Sequence, residues 1–132
     1  MLRVAKRRMD SEANTYLSLG DATHLPFSNE GFDEVASIFT LEILNHEEHM
    51  ATLKEVVRVH KRDGEFLTLS ILDRPSRVIK LYKLLSKLSP TIFNCRSAKL
   101  DKILNQAGFR IIRKHEARLY SLPIMITIAS KD

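Results

Sequence analysis

The sequence predicts an α/β domain built on a mainly parallel sheet, and three observations carry that prediction. Strand-like and helix-like segments alternate in the order strand, loop, strand, helix, strand, helix, helix, strand, strand. Phe66 to Leu72 is a continuous apolar run, the pattern of a strand covered on both faces. Glu47 to His60 sets Met50, Leu53, Val56, Val57 and His60 on one helical face, with Glu47 and Glu48 at the positive end of the helix dipole.

Taken along the chain, Leu2, Ala5 and Met9 have helical spacing among Arg3, Lys6, Arg7 and Arg8, which predicts the end of a helix over residues 1–9. Tyr16 to Leu19 reads as a short strand closed by Gly20. The loop that follows contains Pro26, which excludes regular structure there, and Val35 to Leu41 then reads as a buried strand. After the amphipathic helix, Asp63-Gly64 predicts a turn into Phe66 to Leu72. Arg77 to Leu88 returns to helical spacing. Ser97 to Ala107 is a further helix, with Ser97 as N-cap and Gly108 as its stop. Phe109 to Arg113 and Ile124 to Ala129 close the chain as strands. There are no repeats or linkers, so residues 1–132 are expected to form one domain.

Composition narrows the function classes. At 132 residues and 44% hydrophobic content the chain can bury one modest core. The net charge of +5 is spread over several segments and interleaved with carboxylates, and few aromatic side chains are available as stacking platforms, so nucleic acid is not expected as a partner. Cys95 is the only cysteine, which rules out an intramolecular disulfide and suits a reducing compartment, with the cytoplasm as the expectation. It reads as a small packing residue. No apolar run reaches the roughly 20 residues of a spanning helix. His46-Glu47-Glu48-His49 spaces its histidines three apart rather than the four of zinc-protease helices, so it reads as a solvated helix start and no metal is expected.

In open α/β sheets, ligands sit at the carboxyl ends of the strands, where Asp21 and Ala22 are expected. A carboxylate at such a place accepts from an exocyclic amine, and a small following residue lets its N–H approach a planar ring. Leu25 and Phe27 can wall the ring, a combination that suits adenine. Alone, Asp-Ala is also what a plain Asx turn looks like; its companions decide between the two readings. These are Leu25-Pro26-Phe27, Phe32-Asp33-x-Val35, Leu53-x-Glu55-x-x-Arg58-Val59-x-Lys61-x-Asp63-Gly64 and Ala107-Gly108-Phe109. In this order they resemble the class I S-adenosylmethionine-dependent methyltransferases of the type 11-like subgroup that acts on small molecules, lipids and quinones.

The resemblance implies a Rossmann-like fold with an antiparallel C-terminal strand and S-adenosylmethionine as cofactor. It implies that Asp21 accepts from the adenine amine, that the Ala22 N–H donates to a ring nitrogen, and that Leu25, Ile38 and Phe39 line the cofactor wall. It also places Glu42 and His46, just past a strand end, where they could take a proton from an acceptor. The sequence departs from the family pattern in two respects. His60, Arg62 and Asp63 stand where the family has Leu, Pro and Gly, and the only glycines, Gly20, Gly31, Gly64 and Gly108, cannot form the family's glycine-rich turn. The expectation is therefore a partial fold, the C-terminal two-thirds of a methyltransferase domain with its first two strands missing and half of a cofactor site.

Three function classes follow: a truncated methyltransferase, a non-catalytic remnant that binds or regulates a partner, and a basic interaction domain. The expected acceptor is a small or lipid-like molecule. Residues 74–88 set Val78, Leu81, Tyr82, Leu85 and Leu88 opposite Arg77, Lys80, Lys83 and Lys87, the pattern either of a peripheral membrane contact or of an ordinary surface helix. Missing strands would leave the Val35 to Leu41 strand open on one side, which predicts self-association through that edge.

Overall fold

The computed structural model describes residues 14–72, 97–120 and 122–132. Among the described residues, four strands and two helices occur in the order β1 (Phe32–Ile38), α1 (His46–Val59), β2 (His60–Ile71), α2 (Ser97–Gln106), β3 (Phe109–Leu119) and β4 (Leu122–Lys131). The sheet order is β1-β2-β4-β3. β1 and β2 pair in parallel, and β4 lies antiparallel to both β2 and β3, so three strands run one way and the C-terminal strand alone runs against them. That is the mixed sheet expected of the Rossmann-like arrangement. The segments expected as helices over 1–9 and 77–88, and Cys95, lie outside the described residues.

Helix α1 forms where the apolar spacing placed it. Asn45 caps it, accepting from the N–H groups of Glu47 and Glu48 at 3.0 Å each, while a Glu48 carboxylate oxygen accepts from the Asn45 N–H at 2.8 Å. Its buried stripe holds Leu53, Val56 and Val59 but also the polar His49 and Thr52, which an apolar-periodicity reading leaves out. Helix α2 ends at Gln106, and the chain turns out through Gly108 at φ +90°, a left-handed conformation that favours glycine. Together α1 and α2 pack Leu53, Val56, Leu100, Ile103 and Leu104 against Phe66, Phe109 and Ala129 of the sheet. Phe66 and Phe109 meet with ring centroids 5.0 Å apart. Each fully buried side chain of this size contributes about 1.5–3 kcal/mol.

Several expectations are corrected. Residues 15–20 form no strand, and Tyr16 and Leu19 are exposed, because a strand requires a ladder and nothing among the described residues pairs with them. The strand expected over Val35 to Leu41 begins and ends earlier, at Phe32 and Ile38, and most of its residues are exposed rather than buried, since it is an edge of the sheet. It stops because Phe39 takes φ +54° and turns the chain away. Asp63-Gly64 is not a turn between elements: it lies inside β2, where a bulge sets His60 to Glu65 against only Phe32 to Glu34 of β1. The last two strands are longer than expected and form a hairpin. Arg113 to Arg118 lacks an apolar pattern because β3 is the other edge, where charged side chains stay in water.

Candidate functional site

Two segments carry the residues singled out for binding. The first is the loop from Asp21 to Gly31. It has little backbone structure of its own: the His24 N–H donates to the Asp21 carbonyl at 3.0 Å and the Phe27 N–H to the Leu25 carbonyl at 2.9 Å. Asp21 follows irregular chain, not a strand end. Its exposed carboxylate accepts through Oδ1 from the Thr23 N–H and from the Thr23 hydroxyl, both at 2.8 Å, the geometry of an Asx turn. With its proton committed to Asp21, that hydroxyl accepts from the His24 Nδ1–H at 3.0 Å. The Thr23 backbone bond and then its hydroxyl bond hold the Asp21 carboxyl below its ordinary range, so it is an acceptor at neutral pH.

What fixes this loop to the domain is the pair Glu55 and Arg58 on α1, which pattern reading quoted as part of a motif without giving it a role. The Arg58 guanidinium spends all five of its N–H donors. Nε and Nη2 grip the two Glu55 oxygens at 2.8 and 2.7 Å, Nη2 also reaches the Leu25 carbonyl at 2.9 Å, and Nη1 reaches the Phe27 carbonyl at 2.8 Å and Asn29 Oδ1 at 2.9 Å. Glu55 Oε2 in turn accepts from the Leu25 N–H at 2.8 Å, and the Arg58 carbonyl accepts from the Glu30 N–H at 2.9 Å. The Arg58 hydrogen bonds, with the Leu25 N–H behind them, pull the Glu55 carboxyl down to about 2. The signal in the sequence was the i,i+3 spacing of an acid and an arginine on an otherwise amphipathic helix.

The second segment is the turn after β1. Ile38 is 57% exposed at the carboxyl end of that strand, and the Phe39 N–H extends the ladder by one bond to the Leu69 carbonyl at 3.1 Å. The chain then leaves the sheet, and Glu42 takes over: its Oε1 accepts from the Ile71 N–H, a side chain continuing the ladder where the backbone has turned away. Burial raises the Glu42 pKa, and the Ile71 bond opposes that rise. His49 Nε2 bonds the Leu41 carbonyl, so the same turn is tied to α1. Ile38, Phe39 and Glu42 therefore gather at the carboxyl ends of β1 and β2. His46 opens α1, and its side chain lies outside the described residues.

Asp21 presents an ionised acceptor beside a small residue on a tethered loop, Ile38 is an exposed apolar strand end, and Phe39 is a half-buried ring just beyond it; these are the kinds of group that the base of a nucleoside cofactor needs. Among the described residues, no cluster of His, Cys, Asp and Glu could hold a metal ion. A surface depression lined by Glu30, Asp33, Glu34, Lys61, Arg62, Asp63, Gly64 and Glu65 lies beside the bulge, at the amino end of β1 and away from these strand ends.

Comparison with known proteins bears on what such a site holds. A family model described as a methyltransferase domain matches residues 1–64. The chain is 34% identical over 134 residues to a demethylmenaquinone methyltransferase of Staphylococcus saprophyticus, covering 86% of this chain and 57% of that protein. It is 33% identical over 122 residues to that of Staphylococcus aureus, covering 89% and 50%. The chain thus spans roughly half the length of these curated relatives. Among solved structures it resembles a protein from Pyrococcus horikoshii with a TM-score of 0.76 at 21% identity, covering all of this chain and 69% of that one. A SAM-dependent methyltransferase from Methanosarcina mazei also gives 0.76, at 17% identity, covering 98% and 76%. Likeness at these identities concerns the fold.

Proposed function

We propose, from the premise that the chain belongs to the class I S-adenosylmethionine-dependent methyltransferases, that it serves methyl transfer from S-adenosylmethionine to a small-molecule or lipid-like acceptor of the quinone type. The observation that carries this reading is similarity to demethylmenaquinone methyltransferases along 86% of the chain. When bound, S-adenosylmethionine supplies an electrophilic methyl group on a sulfonium, so the reaction depends chiefly on positioning. Asp21 would accept from the adenine amine and the Ala22 N–H would donate to the ring, while Leu25, Ile38 and Phe39 would exclude water from its faces. Glu42 and His46 are the candidates to take a proton where the acceptor must lose one. Burial makes Glu42 a stronger base than an ordinary carboxylate, and its bond to Ile71 keeps it oriented.

A second reading is a non-catalytic methyltransferase-like partner, which would bind cofactor without transferring its methyl group. Two partner readings accompany the first. The basic amphipathic pattern of residues 74–88 supports peripheral contact with anionic membranes, where a lipid-like acceptor resides. The edge position of β1 supports self-association. Among the described residues no helix is long and apolar enough to cross a membrane.

Incubation with methyl-labelled S-adenosylmethionine and a short-chain demethylmenaquinone analogue tests the proposal. Label appearing in the quinone, in proportion to protein, is the expected result. Cofactor binding without transfer supports the non-catalytic reading, and neither binding nor transfer overturns both.

A further inference from the structure

We propose that Glu55 and Arg58 are positioning residues for the cofactor: they hold the Asp21 to Gly31 loop against α1 so that the Asp21-Ala22 corner meets the base already ordered. The inference rests on reading that corner as the base-recognition element. It is motivated by how little else secures the loop. Its internal bonds are local, its residues are largely exposed, and among the described residues the hydrogen bonds that tie it across more than 20 residues of sequence converge on these two side chains and the Arg58 carbonyl, beside a longer ion pair of Glu30 with Lys131 at 3.7 Å.

The chemistry needs this pair in particular. Two carbonyls, a side-chain amide oxygen and both oxygens of a carboxylate surround one group, which calls for five donors in a planar fork. Lysine has the charge but three donors on one atom. Glu55 fixes the fork in place and adds an acceptor for the Leu25 N–H, the sole element of the network that contacts the loop from the acid side. Arg58 is only partly buried, with its side chain 32% exposed, so its removal opens no hole in the core formed by Leu53 and Val56. Loop order and fold stability are therefore separable. A loop released from the clasp must be ordered by the ligand, and that ordering is subtracted from affinity.

The test is an amide-resolved NMR experiment on the 132-residue chain and its Arg58→Lys and Arg58→Ala variants, with Lys61→Ala as a surface ion-pair control that loses only the contact with Asp33. Hydrogen exchange is read first, without ligand. The Leu25 and Glu30 amides are expected to exchange at least tenfold faster in both Arg58 variants, with the β2 to β4 ladder amides from Phe66 to Ile71 unchanged. Titration with adenosine and with S-adenosylhomocysteine into the millimolar range is then expected to show at least tenfold weaker binding in both variants and no change in the control.

Faster loop exchange with unaltered binding overturns the inference while leaving the functional reading intact. Unchanged loop exchange overturns it as well, and so does loss of ladder protection, which assigns the pair to global stability. If the unaltered chain shifts no corner amide with either ligand, the functional reading fails and the positioning role with it, whatever the exchange shows.

Discussion

Gly64→Ala is expected to destabilise the domain by about 3 kcal/mol or more, the upper end of what overpacking costs. A Cβ at Gly64 would sit 2.2 Å from the Asp33 carbonyl oxygen and 2.7 Å from His60 Nε2. The second contact is with a side chain, but the first is with backbone that is held from both directions, by the β1 to β2 ladder and by the Lys61 bond to Asp33 at 2.7 Å. The residues between His60 and Glu65 bulge out opposite Phe32 to Glu34, and Gly64 brings β2 back into register by passing directly under β1. The clash is relieved only by parting the two strands at the point where their parallel pairing begins. Urea unfolding should show a midpoint shifted far to lower denaturant, or no folded baseline. A midpoint within 0.5 kcal/mol of the unaltered chain would mean that β1 and β2 do not approach this closely.

The second large effect has the opposite sign. His60 is fully buried at the junction of α1 and β2, and among the described residues neither ring nitrogen has a partner in good hydrogen-bond geometry, although the backbone of Glu65 and Gly64 lies close by. Burial lowers its pKa, with the backbone of Glu65 and Gly64 opposing and Lys131 adding to the shift. In the unfolded chain the ring takes up a proton as pH falls through about 6.5, while in the folded domain it resists doing so. Stability is therefore fully present above that pH and is lost progressively as the solution is acidified toward the lowered folded value. His60→Leu replaces an unsatisfied buried group by an apolar one of similar size beside Phe109, whose ring centroid is 6.3 Å away. It is expected to raise stability by about 1–2 kcal/mol at pH 7.5 and by more at pH 5, flattening this part of the pH profile. Equal or lower stability in the variant would show that the ring nitrogens are hydrogen-bonded after all. In the His60→Leu background, Gly64→Ala should be only partly relieved, because the Asp33 carbonyl remains.

Much of this architecture was legible in the sequence, and the reasons differ by element. Helix α1 announces itself because apolar periodicity and an N-terminal acid pair agree, while its Asn45 cap emerged only from the structure. Gly108 marks the end of α2 because few other residues take the backbone conformation found there. Where pattern reading failed, the deciding physics was tertiary. Val35 to Leu41 looks buried from composition, yet burial depends on neighbours, and at a sheet edge the same residues are exposed. The β3 extension through Arg113 to Arg118 lacks any apolar signal because its bonds are to β4 and its side chains face solvent. His49 and Thr52 occupy the core side of α1 through packing that hydrophobic spacing cannot reveal.

The candidate site divides in the same way. Asp21, Ala22, Ile38 and Phe39 are candidates through the family resemblance that the order of the motifs along the chain carries. The roles of Glu55, Arg58 and Glu42 depend on backbone groups some 30 residues distant in sequence, at Leu25 and Ile71, and only folding brings those together.

Asp21 is expected to distinguish two purine nucleosides that differ at one exocyclic group. Its ionised carboxylate can accept from the exocyclic amine of adenosine, whereas inosine presents a carbonyl at that position and meets the acid with like polarity. A matched NMR titration of the chain with the two nucleosides should give adenosine binding at least tenfold tighter, with the Ala22 amide shifting, and Asp21→Ala should remove the preference. Equal affinity for the two nucleosides, or a preference that survives Asp21→Ala, would contradict it.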